Sequence, residues 1–316
     1  MRMFLLKAHA FFYQLNDLHS YKNSNKLLWL ITNVGARFFE LLLGLWIWII
    51  RDKFIVSHKK NPDLVVSLTT FPARLSTVWM TIDSIFRQKM QPFKVVLTLS
   101  EVDFPGKEKE LPQRLLKYEH LGLEIIWMRD NLCPHKKYFM SFQKYKDKYI
   151  VTVDDDIYYR NEMLQKLWTK HLEFPNMVIG NVCSAILDAN GRERKYHEWS
   201  SSEVLENTPS HNYLAIGWAG VLYPPALFSN TLYNIEAINK MCLSTDDLWL
   251  KANEIISDIQ VVKNDYICPS PTIVGTRSSA LFSSNVLGKN DNAWDRLKKE
   301  YNLILQIRQS LYSKQA

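Results

Sequence analysis

Three adjacent aspartates, Asp154, Asp155 and Asp156, directly follow the apolar run YIVTV at residues 149–153. Adjacent carboxylates repel one another, and the end of a buried strand leaves them little room to separate. A divalent cation with oxygen ligands is the usual compensation for such a cluster. The alternative is a solvated acidic turn, because aspartate is common in turns. The buried strand directly before the cluster favours the cation, so we expect a metal site here.

A second acidic pair, Asp246 and Asp247, lies in the segment TDDLW at residues 245–249. Apolar residues at 248, 252, 255 and 256 recur at helical spacing, so a helix is predicted to begin here. Carboxylates at a helix N-terminus are stabilised as anions by the helix dipole and by free amide groups. One member of the segment is therefore expected to be a cap, and Thr245 or Asp246 suits that role best.

Strands and helices alternate from residue 63 onward, and they must position these acidic groups. Apolar runs at 64–70, 94–99, 123–127 and 149–153 predict four buried strands, with helices near 78–86 and 111–118. Near-continuous apolar strands that alternate with helices indicate an α/β sheet covered on both faces. Ligands of such sheets bind beyond the carboxyl ends of the strands. The polar groups at those ends are Thr70 with Arg74, the loop 130–138, and the three aspartates.

An apolar segment at residues 27–50 precedes this α/β region. As a helix it would be about 36 Å long, enough to cross a bilayer. Arg37 and Glu40 lie in its middle, and each would cost roughly 2.5–3.5 kcal/mol at bilayer depth. With Asn33 and Gly44 they form one polar stripe, which favours a helix lying in the membrane interface over a true span. The alternative is a helix packed on the protein's own body or on a partner subunit.

The charge distribution agrees with membrane contact at the N-terminus. The 316 residues carry a net charge of +7, and residues 1–60 hold nine Lys/Arg against three Asp/Glu. The remaining residues hold 30 against 29 and are nearly neutral. A nucleic-acid-binding domain would be basic on its folded body, so we expect no nucleic-acid partner. Anionic lipid is the expected partner of the N-terminal segment.

The four cysteines show no metal-binding or disulfide spacing. Cys133, Cys183, Cys242 and Cys268 are widely separated, with no CxxC motif and no Cys/His cluster. The reducing cytosol is the simplest compartment for such a pattern. The apolar fraction of 47% and the charged fraction of 22% also exclude a disordered chain.

Five segments in a fixed order resemble a known enzyme family: VSLTTFPARL at 66–75, CPHKKYF at 133–139, TVDDDIYY at 152–159, GWAGVLYPP at 217–225 and TDDLW at 245–249. Over residues 63–300 the chain is similar to nucleotide-sugar glycosyltransferases of the GT-A fold. It is most similar to the family-two-like bacterial enzymes that build capsular polysaccharide or lipopolysaccharide. The resemblance implies an α/β fold with a Rossmann-like, mixed, mostly parallel sheet and helices on both faces.

The resemblance also implies roles for the polar strand ends. The aspartate cluster would be a DXD motif, with Asp154 and Asp155 near the nucleotide ribose and diphosphate. Asp156, together with Asp154, would bind Mn²⁺ or Mg²⁺. Thr70 and Arg74 would hold the base and phosphates of the donor, although Arg74 is also suited to an ion pair or cap of the following helix.

Further candidates follow from the later segments. Lys136 and Lys137 suit a diphosphate that the metal also touches, and the alternative is a pair of solvent-exposed lysines. Trp218, flanked by glycines, suits a platform for an acceptor sugar, and the alternative is a core side chain. In the related enzymes a carboxylate at a helix start removes the proton of the acceptor hydroxyl. The matching position is Asp247, with Asp246 as the fallback.

A late segment completes the resemblance. Residues 277–279 and 285–291 are similar to the segment that closes over the donor in related sequences. Asn290 and Asp291 have a simpler interpretation as caps of the helix that follows, which we favour.

These observations predict a metal-dependent glycosyltransferase whose chain has two regions. Residues 1–60 are expected to associate with a membrane, and residues 61–316 to form the GT-A domain. The expected donor is a nucleotide-diphosphate sugar, the acceptor a lipid-linked glycan of a surface polysaccharide, and the stereochemical outcome inversion. The expected location is the cytoplasmic face of the cell membrane. A nucleotidyltransferase is disfavoured because TTFPARL has no glycine to cradle a triphosphate. A non-catalytic membrane assembly subunit is the remaining alternative.

Overall fold

A computed structural model describes residues 4–9, 11–12, 26–50, 59–266, 270–273, 276 and 288–312. The resemblance noted at 277–279 and 285–287, and Cys268, lie outside the described residues. Residues 4–9 are helical, and the α-helices that follow are α1 (Lys26–Ile50), α2 (Val78–Phe86), α3 (Gln113–Leu116), α4 (Lys136–Lys144), α5 (Met163–Glu173), α6 (Ile235–Met241), α7 (Asp246–Ile256), α8 (Lys289–Tyr301) and α9 (Leu303–Tyr312).

Nine described strands form one large sheet and one small sheet. They are β1 (Lys60–Thr69), β2 (Gln91–Ser100), β3 (Leu123–Met128), β4 (Tyr149–Thr152), β5 (Val178–Gly180), β6 (Cys183–Ala185), β7 (Tyr213–Ala215), β8 (Val221–Tyr223) and β9 (Val261–Lys263). The large sheet has the order β3-β2-β1-β4-β8-β5-β9, and β6 pairs with β7. Within the large sheet only β8 runs antiparallel to its neighbours. The predicted α/β class with a mixed, mostly parallel sheet is therefore confirmed.

The sheet is apolar on both faces, which is why its strands are almost continuous hydrophobic runs. Alternate residues of β1 face opposite sides: Val65 belongs to one buried cluster, and Leu64 and Val66 belong to the other. Helices α4, α7 and α8 cover the first face, and α2 and α5 cover the second. Both layers are thus filled, and polar side chains are left to the strand ends.

Helix α1 packs one face on the body of the protein and exposes the opposite one. Leu43 and Ile47 are buried in the cluster that contains Leu64 and Val66 of β1. Glu40 turns toward the body, where it contacts His9 at 3.4 Å and Arg37 at 3.3 Å. Arg37 is exposed on this helix, with its side chain 47% accessible. Eight large apolar side chains of the outward face are each more than half exposed: Leu27, Leu30, Ile31, Val34, Phe38, Leu41, Leu45 and Ile49.

Among the described residues, this is the one helix long and apolar enough to cross a membrane. The qualifying stretch is Leu30–Ile47, with a mean hydropathy of 1.4 and 28% of it buried. An apolar cavity of about 330 Å³ lies between this helix and the body, and its lining includes Gly44, Met80, Tyr158 and Ile273. The backbone N–H of Ile273 donates to the carbonyl of Asp156 at 2.7 Å. The cavity wall is therefore joined directly to the aspartate cluster.

Candidate active site

The aspartate cluster follows β4 at the carboxyl end of the sheet, as the sequence predicts. Strands β1 and β4 are parallel neighbours, with Ser67 opposite Thr152, so their ends lie level. This register brings Thr70, which follows β1, to Asp155, which follows β4. Parallel pairing thus converts two distant segments into one polar edge.

Asp155 is the internal member of the cluster. Its carboxylate accepts hydrogen bonds from Thr70 Oγ1 at 2.5 Å and from Arg74 Nη1 at 2.5 Å, one on each oxygen. Its backbone carbonyl accepts from Thr81 Oγ1 at 2.9 Å. The side chain is only 7% exposed. Thr70, Arg74 and Asp155 therefore hold one another, and the geometry gives Asp155 the role of anchoring the loop.

Asp154 and Asp156 are the accessible members, with side chains 31% and 16% exposed. Arg74 Nη2 contacts Asp156 at 3.0 Å, so one guanidinium serves two carboxylates. Burial, with the neighbouring charge of Asp154, raises the pKa of Asp156 to about 6. The pair retains negative charge that Arg74 does not cancel, and its hard oxygen atoms fit Mg²⁺ or Mn²⁺.

The described residues contain no group of three or more His, Cys, Asp or Glu side chains arranged to hold a metal. Two carboxylates are nevertheless a common protein contribution to a Mg²⁺ site, since substrate phosphates and water complete the coordination. The donor set therefore fits a cation shared with a phosphate ligand.

Lys137 links the aspartate cluster to the second acidic pair. Its ammonium lies 2.6 Å from Asp154 Oδ1 and 2.9 Å from Asp246 Oδ2. Its backbone carbonyl accepts from Ser67 Oγ at 2.6 Å, which fixes the start of α4 against β1. Burial alone would lower the pKa of Lys137, but Asp154, Asp246 and Asp247 hold it well above its ordinary value. Lys137 is therefore a permanent cation between two acidic groups.

Asp246 and Asp247 open α7, as predicted, but their environments differ. Burial opposes ionisation of Asp246, yet Lys137 and then His135 hold its pKa below the ordinary value. Burial, then the charge of Asp246, raises the pKa of Asp247 to about 8. Asp247 is thus the member whose proton affinity suits a general base near neutral pH.

Gly217 is required for the position of Asp247. The backbone N–H of Gly217 donates to Asp247 Oδ2 at 3.2 Å. A Cβ at position 217 would lie 2.6 Å from Asp247 Oδ1, closer than any real side chain tolerates. A larger residue at position 217 would therefore displace the Asp247 carboxylate.

Trp218 is half-buried and directly follows Gly217, which contacts Asp247. The backbone of Trp218 is tied to the aspartate cluster through Tyr159. The Tyr159 hydroxyl donates to the carbonyl of Trp218 at 2.8 Å and accepts from the N–H of Asp154 at 2.9 Å. The predicted acceptor platform therefore lies in the same site as both acidic groups.

Lys136 does not join the site, contrary to the expectation that both lysines meet the diphosphate. Its ammonium contacts Asn131 Oδ1 at 2.5 Å and Asp103 Oδ2 at 3.5 Å. Consecutive residues at a helix start project in different directions, so one lysine reaches the aspartates and its neighbour does not. Nor do Asn290 and Asp291 cap α8: Gly288 takes the cap position, and Asp291 Oδ1 accepts from the N–H of Tyr196 at 2.8 Å.

Sequence reasoning missed Thr81, Tyr159 and Tyr196. Thr81 and Tyr159 act through a single hydroxyl each, held to backbone groups of distant segments, and this leaves no spacing pattern. Tyr159 lies in the segment TVDDDIYY, three residues after Asp156, so the sequence did indicate that it is close to the aspartates. Tyr196 lies in a region without any recognised motif.

No protein-family model and no curated protein matches the chain. Among solved structures, residues 1–349 of S. aureus TarS in complex with UDP are 17% identical, with a TM-score of 0.41, over 65% of this chain and 59% of that one. The mannosyltransferase PcManGT from Pyrobaculum calidifontis, in complex with GDP-Man and Mn²⁺, is 14% identical, with a TM-score of 0.41, over 75% and 66%. The chain spans 59% of the first structure's length. At this distance, the nucleotides and metal named for those structures are properties of those proteins.

Proposed function

We propose that this protein is a metal-dependent glycosyltransferase of the GT-A type, which moves a sugar from a nucleotide-diphosphate donor to a glycan acceptor. One observation carries the proposal. Lys137 contacts Asp154, one member of the accessible carboxylate pair, and Asp246, the chain neighbour of Asp247, whose pKa is raised. The first group suits a cation and a diphosphate, and the second suits proton removal. A single-sugar transfer needs both in one site.

Asp154 and Asp156 would hold the cation, which neutralises the diphosphate leaving group when bound. The side chains of Thr70, Arg74 and Asp155 fix the geometry of that pair. Arg74 remains within reach of the Asp156 oxygen and adds positive charge at the same edge. We thus propose that Thr70, Arg74 and Asp155 assist donor binding by holding the aspartate loop in place. Asp154 and Asp156 would face the ligand.

Asp247 would act as the base for the acceptor. The acceptor hydroxyl loses its proton to Asp247 as its oxygen attacks the anomeric carbon. The bond from that carbon to the diphosphate oxygen breaks, and its electron pair leaves with the nucleoside diphosphate. Lys137 keeps Asp246 ionised, and that charge in turn helps to hold the proton affinity of Asp247 high. One base and one displacement give inversion at the anomeric carbon.

The outward face of α1 supports a lipid-linked acceptor and membrane contact. Its eight exposed apolar side chains would be costly in water and favourable in a lipid interface. Of the two central charges, Glu40 is buried beside His9, whereas the Arg37 side chain remains 47% exposed, as an interfacial helix tolerates. Ile273, a wall residue of the cavity between α1 and the body, bonds to the backbone of Asp156, and we propose that a lipid-linked glycan presents its sugar from this side. We therefore place the protein peripherally on the cytoplasmic face of the cell membrane, in surface polysaccharide synthesis such as that of capsule or lipopolysaccharide, with residues 1–60 as the membrane-associating region.

Thermal unfolding with a panel of nucleoside diphosphates, each with and without Mn²⁺, tests the proposal. We expect one nucleotide to stabilise the protein only when Mn²⁺ is present, because Asp154 and Asp156 would hold the cation, which would neutralise the charge of the diphosphate. Asp156→Ala should remove that stabilisation. Asp147→Ala is a matched control, since the Asp147 side chain is 80% exposed and remote from the cluster. Equal stabilisation in Mn²⁺ and in EDTA would contradict the metal's role.

A further inference from the structure

Tyr196, Trp199 and Trp294 form an aromatic cluster that has no part in the proposed catalytic steps. Tyr196 and Trp199 have ring centroids 5.0 Å apart, and Trp199 and Trp294 have centroids 5.3 Å apart in an edge arrangement. Trp199 and Trp294 are buried, whereas Tyr196 is half-buried. Tyr196 is therefore the member that a ligand can reach.

Tyr196 is close to the proposed base. Burial is the main cause that raises the pKa of Tyr196 to about 12, and the charge of Asp247 is the next largest. The charge of Asp246 contributes less. A hydrogen bond from the Asn290 side chain opposes this rise in the pKa of Tyr196. The phenol thus stays protonated over the working pH range, and its hydroxyl can both donate and accept a hydrogen bond.

The segment that carries Tyr196 is held in place by its backbone. The N–H of Tyr196 donates to Asp291 Oδ1 at 2.8 Å, and the N–H of Lys195 donates to Glu198 Oε2 at 2.9 Å. Trp199 Nε1 donates to the carbonyl of Arg194 at 3.1 Å. These bonds leave the Tyr196 hydroxyl to side-chain and ligand contacts.

Two buried polar atoms beside Tyr196 have no hydrogen-bond partner within the described part of the chain: Asn290 Oδ1 and Trp294 Nε1. Asn290 is 5% exposed and Trp294 is 3% exposed. Buried polar atoms are usually paired, so an unpaired acceptor and an unpaired donor on one helix face mark an incompletely satisfied polar wall behind Tyr196. The Tyr196 hydroxyl can exchange hydrogen bonds with a sugar hydroxyl, and sugar rings pack on aromatic faces.

We propose that Tyr196 is an acceptor-binding residue whose ring and hydroxyl contact a hexopyranose unit of the acceptor, with Asn290 as the positioning residue that orients the hydroxyl. The subsite would direct a sugar hydroxyl toward Asp247, opposite the donor end of the site. This inference rests on the proposed glycosyl transfer, because it assigns the acceptor of that reaction. It adds a second aromatic contact to the one proposed for Trp218.

Binding of methyl hexopyranosides tests the subsite directly. The panel comprises methyl α- and β-glucopyranoside, galactopyranoside, mannopyranoside and 2-acetamido-glucopyranoside. Saturation-transfer NMR is run on the full chain with Mn²⁺ and the nucleoside diphosphate that stabilises it. At least one glycoside should bind, and Tyr196→Phe should raise its Kd about 2- to 12-fold, the usual value of one hydrogen bond.

Two further variants separate a binding role from a structural one. Tyr233→Phe is the control: Tyr233 also has a pKa raised to about 12, but by burial alone, and it packs on Phe139 away from the aspartates. It should leave the Kd unchanged. Asn290→Ala should weaken binding in the wild-type background and have no added effect beside Tyr196→Phe, because it acts through that hydroxyl.

The outcomes distinguish the two proposals. If no glycoside of the panel binds, or if Tyr196→Phe binds as tightly as wild type, the subsite is wrong even when nucleotide stabilisation is intact. An Asn290→Ala effect that persists unchanged in the Tyr196→Phe background refutes the positioning role. If wild-type protein shows neither nucleotide stabilisation nor release of nucleoside diphosphate from any nucleotide sugar, the proposed function itself fails.

Discussion

Substitution of Asp247 by Asn tests the assignment of the base. The amide keeps the shape of the side chain and can still accept from the N–H of Gly217, but it cannot take a proton. General-base catalysis contributes about 10²- to 10⁴-fold, so turnover should fall by about that factor. Donor affinity should barely change, because we propose that Asp154 and Asp156, not Asp247, hold the cation and the diphosphate.

The pH profile supplies a second, independent magnitude. With a pKa of about 8, raised by burial and then by Asp246, only about a tenth of Asp247 is ionised at pH 7 in the free protein. The value of kcat/KM should therefore rise about tenfold between pH 7 and pH 9. Binding of a cation at Asp154 removes one of the charges that raise this pKa, so saturating Mg²⁺ should move the rise to lower pH.

Initial rates of nucleoside diphosphate release, measured from pH 6 to 9.5, provide the assay. Asp246→Asn is the matched comparison: it removes the nearest charge, so the rise should move to lower pH while turnover is largely kept. If Asp247→Asn instead weakens donor binding and Asp246→Asn abolishes turnover, the two roles are exchanged. If neither change affects turnover, the segment is only a helix start and the mechanism is wrong.

Three other changes have defined outcomes. Asp156→Ala should abolish metal-dependent nucleotide binding, measured by titration calorimetry. The melting temperature of the nucleotide-free variant should stay within a few degrees of the wild-type value, because the change relieves repulsion with Asp154. Nucleotide binding that survives in EDTA would count against the metal site. Asp155→Ala removes two hydrogen bonds to a buried carboxylate and should lower the free energy of unfolding by about 2 kcal/mol; urea unfolding indistinguishable from wild type would show that the anchor is unimportant. A truncated chain that begins near Asn61 should fold and release nucleoside diphosphate in solution but should no longer sediment with anionic vesicles; loss of folding by circular dichroism would show that Leu43 and Ile47 belong to an essential core.

The sequence predicted the four parallel strands because each is an apolar run. Since parallel strands end at the same edge of a sheet, the polar residues after β1 and β4 were expected to lie together. The three-residue strands β5, β8 and β9 are too short to carry a pattern, so the antiparallel β8 was not predicted. The sequence also placed Asp154–Asp156 and the start of α7 at the site. It did not distinguish the internal Asp155 from its accessible neighbours, since that depends on where Thr70 and Arg74 point. The same dependence on side-chain direction separates Lys137 from Lys136.

Release of nucleoside diphosphate from a panel of nucleotide sugars is the most direct test of the central claim. Wild-type protein is assayed in Mn²⁺, in EDTA, and in EDTA followed by excess Mn²⁺, beside Asp156→Ala and the exposed-site control Asp147→Ala. We predict release from at least one nucleotide sugar that stops in EDTA, returns with Mn²⁺, is lost in Asp156→Ala and is kept in Asp147→Ala. Release that continues undiminished in EDTA, or the absence of release from every nucleotide sugar tested, would contradict the account.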